Sequence, residues 1–181
     1  LASAAVLAGL IVMILNYSFP AFKEIAPTVH TKSADSQPAR IKIPSIYVDA
    51  VIEPTALTSD GLMDVPKLPA DTAWYKLGPA PGKIGSAIID GHVNWKHGAK
   101  AVFSDLHKLK AGDKVLVTDD LGATVSFVVR LSRTYGSNAE ASDIFTSSDG
   151  KAHLNLITCQ GVWDKAAQGY TQRLVVFTDK E

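Results

Sequence analysis

The chain contains one cysteine, Cys159, directly after the run His153-Leu154-Asn155-Leu156-Ile157-Thr158. A thiol attacks a carbonyl when a base takes its proton and fixed donors hold the oxyanion that forms. Arg173 stands at the head of the apolar run Leu174-Val175-Val176-Phe177. Its guanidinium is always charged and rich in donors, which suits an oxyanion. If the segments ending at Cys159 and beginning at Arg173 pair as antiparallel strands, the thiol and guanidinium share one rim. His92, in Asp90-Gly91-His92-Val93-Asn94, closes another apolar run and could supply the imidazole. Gly91 allows close backbone approach there. Spacing alone does not bring His92 to Cys159.

Each of these residues also has a plainer reading. Cys159 could be a small buried hydrophobe, and Arg173 an ion-paired surface group. His97 lies in the loop after His92 and is a rival base. His30 falls in a polar stretch, and His107 reads as solvated. His153 shares the parity of Cys159 but lies six strand residues, about 20 Å, away, too far to be its partner. Asp90 could orient His92, but it reads more simply as a rim carboxylate and is left outside the candidate site.

The elements that must position these groups are mostly strands. Ile41–Ile43, Asp49–Ala56, Gly85–Asp90, Lys114–Thr118, Thr124–Arg133, Ala152–Thr158 and Arg173–Thr178 are short runs bounded by turn residues. Asp119-Asp120-Leu121-Gly122 makes a hairpin turn. Val125, Phe127, Val129 and Leu131 alternate, which places them on one buried face. Val102, Phe103, Leu106 and Leu109 fit an apolar stripe on one short helix. Many short, evenly spaced strands imply a closed or nearly closed β-barrel.

The first 22 residues carry no charged side chain. As a helix they would span roughly 30 Å, the thickness of a bilayer core, and Tyr17, Phe19 and Phe22 would sit where an aromatic belt lies. We read residues 1–22 as an uncleaved transmembrane anchor, truncated at its amino end because the chain opens at Leu1 without Met or a basic flank. A cleaved signal peptide is the other reading. Residues 23–40 are polar with scattered Pro and read as a flexible linker, and 41–181 form the domain. Either reading of the apolar segment exports that domain, where an unpaired cysteine calls for a reason. Lys plus Arg (18) equals Asp plus Glu (18), without the basic excess of a nucleic-acid binder.

Leu156-Ile157-Thr158-Cys159 resembles the signature of the sortase family, in which Thr-Cys ends a barrel strand. Gly91-His92-Val93 resembles the family's histidine motif. Arg173, 14 positions after Cys159, lies in a segment similar to its arginine strand. Ile43-Pro44-Ser45-Ile46, Ala73-Trp74-Tyr75 and Pro81-Gly82 add to the likeness, which runs from about Arg40 to the end. The resemblance implies an eight-stranded barrel with one or two short helices, held at the surface of mainly Gram-positive bacteria by a single membrane span. It implies cleavage of a Leu-Pro-x-Thr-Gly sorting signal between Thr and Gly. Cys159 would form a thioacyl enzyme, His92 would protonate the departing amine, and Arg173 would hold substrate and oxyanion. Thr158 would add a hydroxyl contact near the oxyanion, unless it is an ordinary strand threonine. An amine on a cell-wall precursor or a pilin would resolve the acyl enzyme. No cofactor is implied, and no acidic cluster has calcium spacing.

Asn155 stands where the signature often has Thr, which bears on subclass; the overall pattern is most similar to classes F and D. Two other functions compete. A peptidoglycan L,D-transpeptidase also uses Cys and His, but its Ser-His-Gly-Cys arrangement is absent here. A non-catalytic surface-binding domain would bury its cysteine. With unperturbed pKa values of about 8.5 and 6.5, Cys159 and His92 would give a rate optimum near pH ~7.5.

Overall fold

The computed structural model describes residues 36–181. The anchor and linker residues 23–35 assigned from sequence lie outside the described residues. Eight strands close into a barrel: β1 (Pro38–Ile43), β2 (Val48–Thr55), β3 (Thr72–Tyr75), β4 (Gly85–Gly91), β5 (Lys114–Asp119), β6 (Thr124–Gly136), β7 (Ala152–Asp164) and β8 (Gly169–Lys180). Their order around the barrel is β1-β2-β3-β4-β7-β8-β6-β5. Two neighbouring pairs, β2/β3 and β4/β7, are parallel, and the rest are antiparallel. Closure removes open edges, so each ladder finds its hydrogen-bond partners within the fold.

Alternation sorts the side chains. Ile41, Ile43, Ile89, Phe127, Leu154, Leu156, Leu174 and Val176 fill the interior. Ile88, Ile157, Val175 and Phe177 form a second apolar strip on the outer face of β4, β7 and β8. Ile144 covers that strip from α1 (Ser142–Phe145), a single turn in the β6–β7 connection. The side-chain amide of Asn155 on β7 donates to the Ile144 carbonyl at 2.6 Å and fastens α1 there. A threonine hydroxyl at this position would be shorter, so the departure from the signature has a structural role.

Three readings from sequence change. The expected helix around 102–109 is a series of turns with one 3-10 turn, Leu106–Lys108. Phe103, Leu106 and Leu109 are buried as expected, but a spacing of three fits 3-10 turns as well as an α-helix. Leu131 does not share the face of Phe127 and Val129. A bulge between Val129 and Leu131 reverses the alternation, leaving Leu131 38% exposed. Finally, β7 and β8 run past the expected ends, so Cys159 and Arg173 sit within a long hairpin rather than at strand termini.

Candidate active site

Cys159 and Arg173 are register partners across β7 and β8. They share the parity of Ile157 and Val175, so strand alternation places both on the outer face, at one end of the apolar strip. The hairpin bulges just beyond, between Gln160 and Trp163. Gly161 takes a left-handed φ of 86° there, and a Cβ on it would lie 2.6 Å from the Thr171 hydroxyl. That hydroxyl accepts from the Val162 N–H instead. The bulge turns Trp163 and Tyr170 toward each other, with ring centroids 5.3 Å apart.

His92 follows the last residue of β4. The parallel β4/β7 ladder sets Asp90 beside Ile157, so the chain leaves β4 next to Cys159. Two contacts hold this exit. Gly91 packs so closely on Phe103 that a Cβ would stand 2.5 Å from the ring. The His92 carbonyl accepts from the Phe103 N–H at 2.9 Å. The imidazole Nε2 lies 2.8 Å from the Pro66 carbonyl and must carry a proton to bond it, since a carbonyl only accepts. Trp95 meets the ring edge-on at 5.0 Å.

Two clefts meet at Cys159. One, of about 480 Å³, is lined by His92, Trp95, Lys96, Trp163 and Tyr170. The other, of about 370 Å³, runs past Phe103, Ser104, Thr158, Gln160 and Leu174. Asn94 borders both and donates to the Tyr170 hydroxyl at 2.5 Å. Cys159 is half-buried, so the reading of it as a sealed core thiol fails. His97, the rival base, is exposed and lines neither cleft.

Arg173 is positioned by its own strand: its Nη1 donates to the carbonyls of Tyr170 and Gln172, each at 3.0 Å. Thr158 is buried, and its hydroxyl donates to the Gly91 carbonyl at 2.7 Å. That bond ties β7 to β4 directly beneath the rim. Burial pushes the Cys159 thiol above its ordinary pKa; Arg173 opposes the shift and Asp90 adds to it. Asp90 itself is buried, at 8% exposure, and is not the rim carboxylate read from sequence. Burial raises its carboxyl to about 7, against the Gly91 N–H and Arg173. The parity Asp90 shares with His92 was the available signal; the depth at which it is buried was not readable.

A thiol exposed to two clefts, with a guanidinium beside it and an imidazole across one cleft, is equipped for acyl transfer rather than simple binding. Residues 41–181 match the family model for the sortase domain. The chain belongs to the sortase family, and it is a sortase-type cysteine transpeptidase. The fold is similar to sortase C-1 from Actinomyces oris, at 25% identity over 79% of this chain and 73% of that one, with a TM-score of 0.63. Sortase A from Listeria monocytogenes is similar at 24% identity over 81% of this chain and 88% of that one, TM-score 0.60. Fold likeness therefore does not single out a subclass. Adenine phosphoribosyltransferase from Yersinia enterocolitica is 35% identical over 92 residues, 46% of this chain. The chain spans about half the length (49%) of that curated relative, and a match this partial assigns no activity.

Proposed function

We propose that this transpeptidase cleaves a Leu-Pro-x-Thr-Gly-type sorting signal between Thr and Gly, with Cys159, His92 and Arg173 performing the chemistry. The observation that carries the assignment is Cys159, the register partner of Arg173, opening on the cleft that His92 lines. The Cys159 thiolate attacks the Thr carbonyl carbon, forming a C–S bond, and the carbonyl π electrons move to oxygen. With Nη1 of Arg173 held by strand carbonyls, its Nε and Nη2 donors meet the oxyanion. Collapse breaks the C–N bond, and the Gly amine leaves with a proton from the His92 imidazolium. An incoming amine then gives His92 a proton, attacks the thioester, and returns the thiolate. Thr158 acts from below: its hydroxyl serves the Gly91 carbonyl, so its part is to join the two strands that carry Cys159 and His92.

The acceptor in this reading is an amine on a cell-wall precursor or a pilin. The enzyme works outside the cytoplasm, held to the membrane by residues 1–22, and subclass F or D remains part of the proposal. Incubation with a Leu-Pro-x-Thr-Gly peptide and a small amine tests it by chromatography of the products. The cut is expected between Thr and Gly with amine joined to Thr, and Cys159→Ala, His92→Ala and Arg173→Ala are each expected to abolish it or nearly so. Cleavage elsewhere, or full turnover by Cys159→Ala, would remove the assignment.

A further inference from the structure

Asp90 lies on the outer face of β4, two residues before His92. The ladders set it beside Ile157 of β7 and Ala73 of β3. One alternation further along this face, β7 carries Cys159 opposite Arg173. The Asp90 side chain is 8% exposed. Among the described residues no cation lies within ion-pair distance of its carboxyl. A buried carboxylate with the Gly91 N–H but no paired cation is costly, and the group holds its proton to higher pH than an exposed carboxyl does.

The charged and titratable groups around it are few. Cys159 comes from β7, Arg173 from β8, and His92 from the end of β4 itself. The Tyr75 phenol of β3 and the Tyr135 phenol of β6 pack on the adjoining apolar strip. Asp143 of α1 is already engaged by Arg133 and Tyr135. Asp90 is therefore a fourth ionisable member of the cluster, one that the acyl-transfer steps leave unused.

We propose that Asp90 is a positioning residue whose protonation state tunes the Cys159 thiol and the Arg173 guanidinium. Neutral, it leaves Arg173 free to face substrate and leaves the Cys159 thiolate without an anion beside it. Ionised, it draws on the same guanidinium and disfavours the thiolate. Its titration near neutral pH, at about 7 through burial, then sets how Cys159 ionises as pH rises. The proposal builds on the assignment of Cys159 and Arg173 to the reacting groups, but its test needs no turnover.

Cys159 is the chain's single cysteine, so iodoacetamide alkylation reports one site. Rates are measured from pH 6 to 11 and normalised to the alkaline plateau, for the wild type and for Asp90→Asn, which mimics the neutral acid. The variant is expected to titrate at lower pH, with normalised alkylation at pH 8 faster by about threefold or more. Superimposable curves would overturn the proposal. A merely structural role would change the unfolding midpoint without moving the thiol titration. Should Asp90→Asn not fold, carboxyl carbon NMR on the wild type decides: a titration near neutral pH supports the proposal, and one in the ordinary carboxylate range refutes it. Loss of peptide cleavage with the thiol shift intact would strike the proposed substrate and support the coupling of Asp90 to Cys159.

Discussion

Gly91→Ala probes the contact that sets the exit of β4 into His92. The added Cβ would meet Phe103 Cδ2 at 2.5 Å, and Phe103 Cγ and Val102 Cγ1 each at 2.8 Å. Phe103 is fully buried in the barrel interior, so its ring cannot swing into solvent. Overpacking of this kind costs about 1–3 kcal/mol, which for a domain of this size lowers Tm by about 3–9 °C. A double-mutant cycle isolates the cause. Phe103→Ala alone costs about 3–5 kcal/mol through the cavity it opens. In that background the new methyl enters vacated space and meets only Val102, so at least half of the Gly91→Ala penalty should vanish. Urea denaturation of the four proteins measures each corner. If Gly91→Ala costs as much without the Phe103 ring as with it, the packing explanation for this glycine is wrong.

Three further outcomes follow from the rim and from the opposite end of β7. Thr158→Val removes the hydroxyl that serves the Gly91 carbonyl and should cost about 1–2 kcal/mol in urea unfolding, whereas Thr158→Ser should recover most of it; equal loss in both would refute a role for that bond. Because burial holds the Cys159 thiol above its ordinary value, the kcat/KM optimum should lie alkaline of the ~7.5 given by unperturbed groups, and an optimum at or below that pH would contradict the shift. His153 is buried, which lowers its pKa, but Nε2 faces Asp149 at 3.0 Å and Nδ1 faces Asp179 at 2.8 Å, and these carboxylates win, so its folded value is raised. Its stabilisation is complete below the unfolded value of about 6.5 and is lost as pH rises through the higher folded one. Wild-type Tm should therefore fall, between neutral and alkaline pH, relative to His153→Gln; parallel curves would refute this.

Much of the barrel was legible because its strands are short apolar-rich runs that end at turn residues, some alternating, as β1 and β2 do, and some buried throughout, as β4 is. β3 was not read as a strand, since Thr72, Ala73 and Trp74 are all buried and leave no alternation in a four-residue run. Its place depends on parallel pairing with β2 across a long loop, which local pattern does not encode. The bulge near Arg130 was equally hidden, because Val125, Phe127, Val129 and Leu131 fall at every second position in sequence and only the pairing shows the slip. At the site, Cys159 and Arg173 could be brought together by supposing a hairpin, and the register bears that out. His92 could not, because its proximity comes from β4 and β7, which lie far apart in sequence and pair in parallel. Only the resemblance of its motif singled it out. The part played by Pro66 in holding its ring had no sequence signal.

The central claim is that the Cys159 sulfur takes the acyl group from substrate. Intact-protein mass spectrometry after brief exposure to a Leu-Pro-x-Thr-Gly peptide, without added amine and with acid quench, reads this directly. The account predicts a mass gain equal to the peptide's acyl portion through Thr, borne by the peptide fragment containing Cys159, absent in Cys159→Ala and discharged by hydroxylamine. An adduct that survives Cys159→Ala, or peptide consumed while Cys159→Ala turns over as fast as the wild type, would contradict it.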